Sequence, residues 1–173
     1  MSYKVPLCAV LVLAGLVACG GSEAPREESP AAGAPAAESP AAPTSAACGL
    51  LTAEEIQEVL GKAPGTPQSP TGTEDCVWSA ADDPSSILVR VTVSDSGYAT
   101  YDSFVASYQA EFGGEQPPAE YYRPIQGVGD WAMWVADENA IQVFKGGRMV
   151  QVAPNPPNEA QALALAQKAA PRL

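Results

Sequence analysis

Hydrophobic and polar positions follow different periods along this chain, and two stretches follow none. Val5 to Ala18 is apolar with no polar face, broken in character only by Cys8. Gly20 to Ala47 is an island of Ala, Pro, Glu, Ser and Gly without an aromatic residue or any Leu, Ile, Val or Met. Such a segment cannot bury enough apolar area to offset its chain entropy, so a disordered linker is expected there. Regular periods begin at Cys48. Thr52 with Glu55 three residues on is a capping-box pattern, with Leu51 placed as a staple. Ile56, Val59 and Leu60 then form a helical stripe that Gly61 closes.

Two strands are expected next, over Cys76 to Ala80 and Ile87 to Val93. The second alternates, with Ile87, Val89, Val91 and Val93 on one face. A second helix is predicted from about Thr100 to Phe112, because Tyr101, Phe104, Val105, Tyr108 and Phe112 recur at helical spacing. Three further strands follow over 130–136, 140–145 and 148–153, and Asn158 caps a third helix running to Ala170 with Leu163 and Ala166 inward. Gly146-Gly147 fits a two-residue hairpin turn. That turn sets Lys145 opposite Arg148, Val143 opposite Val150 and Ile141 opposite Val152. Without regular βαβ alternation, the order predicts an α+β fold: an antiparallel sheet of about five strands with two to three packed helices.

The apolar run from Val5 is about fourteen residues, shorter than the roughly 20 a membrane-spanning helix needs. Lys4 precedes it and small residues end it, so 1–18 reads as a signal peptide. Its last residues, Leu16-Val17-Ala18 followed by Cys19, resemble the lipobox of bacterial lipoprotein precursors. The resemblance implies cleavage before Cys19 and acylation of its thiol, with palmitate-type chains; ordinary secretion with cleavage near Ala18 is the rival. Each buried methylene contributes about 0.8 kcal/mol and stable anchoring takes two chains, so an acylated Cys19 would hold the protein to a membrane without a spanning helix. Gly20 stands where an Asp would resemble an inner-membrane retention signal. The expected address is therefore the cell envelope, at the outer membrane if the cell has two.

Charge narrows the partners. The formal net charge is −11, which argues against nucleic acid, whose phosphates demand clustered Lys and Arg, and against attachment to anionic lipid through a polybasic patch. With Cys8 in the leader and Cys19 acylated, Cys48 and Cys76 remain as an even pair in an oxidising compartment, and one disulfide is expected. A metal pair is the alternative, but the chain has no histidine and two thiolates do not fill a zinc site. The expected division is 1–18 signal peptide, 19–47 lipidated cysteine and linker, and 48–173 a single domain.

Within that domain, "CGLLTAEEIQEVLG", then Cys76 with Trp78, then Gly127-Val128-Gly129-Asp130-Trp131-Ala132 resemble a family of small bacterial lipoproteins of unknown function. The resemblance implies a disulfide-pinned α+β domain and no activity.

Little catalytic chemistry is legible. The missing histidine excludes Ser-His-Asp and Cys-His arrangements and His-Glu-x-x-His metalloproteases. No metal site and no cofactor are expected. Gly-Val-Gly-Asp at 127–130 reads as a tight turn with Asp130 accepting backbone hydrogen bonds. The acid pairs Glu54-Glu55, Asp82-Asp83 and Asp137-Glu138 read as helix starts and turns. What remains is a surface. A three-residue turn at Asp137-Glu138-Asn139 would put Met133 on the core side and Trp134 on the outer face with Phe144 and Met149. Those three form either an exposed contact site or a second core under the third helix; with another turn length Trp131 and Trp134 exchange faces. The function expected is thus a membrane-anchored binding or interaction module, not an enzyme, meeting an unknown protein or a small apolar ligand. The alternative is an enzyme of unrecognised type using surface carboxylates.

Overall fold

Thr52 caps the first helix, α1 (Ala53–Leu60), in the reciprocal manner its sequence asks for. Its hydroxyl accepts from the Glu55 N–H at 3.3 Å, and the Glu55 carboxylate accepts from the Thr52 N–H at 2.9 Å. Gly61 ends the helix with a φ of 72°, a left-handed conformation that glycine adopts without cost. The computed structural model describes residues 45–70 and 74–173; the expected signal peptide, Cys19 and the expected linker up to residue 44 lie outside the described residues.

Six strands follow: β1 (Asp75–Ser79), β2 (Ile87–Asp95), β3 (Tyr122–Ile125), β4 (Trp131–Val135), β5 (Ala140–Lys145) and β6 (Arg148–Pro154). Helix α2 (Tyr101–Glu111) lies between β2 and β3, and α3 (Glu159–Ala169) closes the chain with a 3-10 turn at Ala170–Arg172. All strand pairs are antiparallel, in the order β1-β2-β6-β5-β4-β3. The domain is therefore α+β, with one strand more than the sequence suggests. The added strand is β3, a four-residue edge containing Pro124.

Pro124 explains both why β3 escapes a sequence reading and why it works as an edge. The Ala136 N–H donates to the Tyr121 carbonyl, so alternation turns the backbone polar groups of Tyr122 and Pro124 away from β4. The Tyr122 N–H is taken by the Pro118 carbonyl at 3.0 Å, and proline has none. That edge thus offers no free donor at these positions to a further strand. The opposite edge, β1, is covered by the segment around Gly65 and Gln68, which bonds to Ser79 and Val77.

The hairpin register agrees with Gly146-Gly147: Lys145 pairs with Arg148, Val143 with Val150 and Ile141 with Val152. Val91 continues the Ile141–Val152 row and Val93 the Val143–Val150 row, giving an apolar inner face. Helices α1 and α3 cover it. Leu165 and Ala166 of α3 and Ile56 of α1 are fully buried there, while Leu163 packs at the margin.

Covalent and polar ties fasten this layer. Cys48 and Cys76 form a disulfide across a sequence separation of 28, joining the segment ahead of α1 to β1. The Arg172 guanidinium reaches both oxygens of Glu55 at 2.8 Å and the Leu50 carbonyl at 2.8 Å. Lys168 pairs with Glu58. The Lys145 ammonium donates to the carbonyls of Ala170 and Pro171, at the end of α3 where the helix dipole favours a cation.

The Arg172 fork, with help from the Thr52 N–H, holds the Glu55 carboxyl below its ordinary value of 4.5. A lowered folded-state value contributes stability that is present above the ordinary value and is lost as pH falls through the folded one. Acid titration followed by circular dichroism should show stability declining below about pH 4.5. Glu55→Gln should be less stable at neutral pH and should show a shallower acid decline.

Candidate binding site

The outer face of the sheet was the one surface the sequence singled out, and its occupancy follows from a turn length. Val135 pairs with Ala140, so the β4–β5 connection takes four residues, Ala136 to Asn139. Asn139 closes it with a φ of 50°, which asparagine tolerates better than most residues. One extra turn residue moves the pairing by one, and every side chain of β4 changes face. Trp134 consequently stands opposite Ile141 and packs on the inner core, not beside Phe144 and Met149. Trp131 and Met133 take the outer face, Trp131 directly opposite Phe144. Phe144 and Met149 do pair on that face, as the hairpin register requires.

The face is not open. The chain leaves β2 and must reach the far edge at β3, and α2 makes that crossing over β4 and β5. Phe144 is 4% exposed, and Met133, Val135 and Phe104 of α2 are buried with it, so a second core lies under α2 rather than under α3. Trp131 and Phe144 stack with centroids 3.6 Å apart and planes 3° from parallel. Phe104 lies against Trp131 and Tyr122, and Tyr101 meets the Trp131 ring edge-on at 6.0 Å. Burial pushes the Tyr122 phenol above its ordinary value. At the end of α2, Phe112 stacks on Tyr108 and is 48% exposed.

The Gly127–Asp130 loop borders this aromatic layer. A Cβ on Gly129 would come within 2.5 Å of Val143 Cγ1 and 2.7 Å of the Phe144 carbonyl, so only glycine fits. The Asp130 N–H donates to that carbonyl, and its carboxylate accepts from the Gly146 N–H. Asp130 thereby ties the loop to the β5–β6 turn. Two hollows flank the loop. One, of about 360 Å³, lies towards Lys145, Gln167 and the end of α3. The other, of about 230 Å³, lies between the loop, Tyr101 and Trp131.

The three acid pairs work locally: Glu55 caps α1, Asp83 accepts from both the N–H and the hydroxyl of Ser85, and Glu138 accepts from the Gln142 amide. Among the described residues no group of three or more His, Cys, Asp or Glu is placed to hold a metal ion, and no helix is long and apolar enough to cross a membrane.

The sequence matches the family described as a protein of unknown function, DUF3558, over residues 14–162. The chain belongs to that family. The match takes in Cys19, both disulfide cysteines and the whole sheet, and its description carries no activity for DUF3558. No curated protein matches the chain.

Proposed function

We propose that this DUF3558 chain is an extracytoplasmic lipoprotein, held to a membrane by acyl chains on Cys19, whose α+β domain serves as a binding module. The observation that carries the reading is the Cys48–Cys76 disulfide, because such bonds persist in oxidising compartments outside the cytoplasm. It leaves Cys8, inside the apolar run, and Cys19, whose place at the boundary between that run and a polar segment makes it the cysteine suited to acylation. The outer membrane is the address in a two-membrane cell, and the outer face of the membrane in a cell with one. Binding is favoured over chemistry because the acid pairs serve their own turns and caps, while Tyr101 and Trp131, at the margin of the aromatic layer, line a hollow beside the Gly127–Asp130 loop. Metabolic labelling with radioactive palmitate tests the anchor. Wild-type protein should take up label and fractionate with membranes; Cys19→Ser should take up none. Equal labelling of the two would overturn the anchor.

A further inference from the structure

The two helical layers are attached to the sheet by different means. The α1–α3 layer carries the disulfide, the Arg172 fork to Glu55, the Lys168–Glu58 pair and the Lys145 bonds to the end of α3. Helix α2 has no counterpart. Among the described residues its hydrogen bonds are its own backbone bonds and its Thr100–Ser103 capping box, and no ion pair joins it to a strand. It holds to the sheet through side-chain packing alone, centred on Phe104, its one buried residue. An 11-residue helix is marginal by itself in water. Segments held by few interactions open at lower free energy than the rest of a domain, and binding lids are drawn from them. The positive-φ glycines Gly113 and Gly114 follow α2 and supply a joint.

The surface beneath α2 is suited to more than one occupant. Trp131 and Phe144 stack on one another there, and Met133 and Met149 are unbranched and polarisable, the side chains that adapt to varied apolar shapes. The Trp131 indole N–H is buried without an acceptor. A buried donor left unsatisfied is costly, and Tyr101 and Phe104 of α2 lie against that ring. Trp78 carries a like N–H in the fastened layer, so the orphaned donor alone marks nothing. Only at Trp131 does it coincide with an unfastened cover and an adjoining hollow of about 230 Å³. Charge restricts the ligand further. From Val91 to Tyr122 the chain has no Lys or Arg, and α2 exposes Asp102 and Glu111, so an anionic head group would be repelled.

We propose that α2 is a lid, and that it lifts to admit a flat, uncharged apolar molecule whose carbonyl oxygen accepts from the Trp131 N–H beside the Phe144 ring. This rests on reading the domain as a binding module, and two readouts separate the claims. Hydrogen exchange on the intact protein in non-ionic detergent reads the lid: α2 amides should exchange at least tenfold faster than those of α3. Calorimetric titration with coumarin, an uncharged planar lactone, reads the slot. Wild type should bind it, and Trp131→Phe, which keeps a stacked ring and loses the N–H, should bind at least fivefold more weakly with no lower melting midpoint. Exchange of α2 in step with α3 would overturn the lid while leaving the binding reading standing. Fast exchange of α2 with no coumarin binding, or with equal binding by Trp131→Phe, would overturn the slot, and palmitate labelling of Cys19 would be unaffected by either result.

Discussion

Phe144→Ser should destabilise the domain by about 3 kcal/mol or more, the usual cost of deleting a buried aromatic ring. The ring is 4% exposed, stacked on Trp131 and covered by α2, so the substitution removes packing on two sides and puts a hydroxyl in its place. Urea melts of wild type, Phe144→Ser and Val143→Ala read it directly. Val143 faces the other core and is fully buried, so Val143→Ala is destabilising whatever covers the outer face and serves as the reference. A Phe144→Ser loss within about 0.5 kcal/mol, the range of ordinary surface positions, would mean that the outer face is open.

Removing the disulfide should have an effect of similar size. With a separation of 28 residues, the chain-entropy account gives about 3 to 4 kcal/mol. The double variant Cys48→Ala, Cys76→Ala should melt at correspondingly lower urea. Because the bond acts chiefly on the unfolded chain, the slope of the transition should also steepen as the denatured state expands. Unchanged midpoint and slope would show that the bond does not constrain the unfolded chain.

What could be read from the sequence and what could not divides along physical lines. Local signals carry the caps of α1 and α3, the span of α2 and the β5–β6 register, because each is settled by residues within one turn or one hairpin. The sixth strand is hidden because Tyr122–Ile125 is short and contains Pro124, and a proline lowers any strand expectation unless the position is known to be an edge. Edge status depends on where the chain sits in the sheet, which no local pattern records. The face of Trp134 is lost to a single residue: Asp137-Glu138-Asn139 carries the turn signature, but Ala136 joins the turn and reverses β4. The assignment of Phe144 and Met149 to one face survives because it rests on Gly146-Gly147 alone. That α2 rather than α3 covers that face follows from the crossing between β2 and β3, a long-range fact of strand order. The Arg172–Glu55 fork joins residues 117 positions apart and had no sequence signal beyond the capping box.

The central claim, a lipid-held extracytoplasmic domain closed by one disulfide, meets its most direct test in the intact mass of the protein extracted from the membranes of its own cell and alkylated before and after reduction. The account predicts a chain beginning at Cys19 that carries acyl mass, with no thiol alkylated before reduction and two, Cys48 and Cys76, after it. An unacylated chain, or one whose Cys48 and Cys76 are alkylated without reductant, would contradict it.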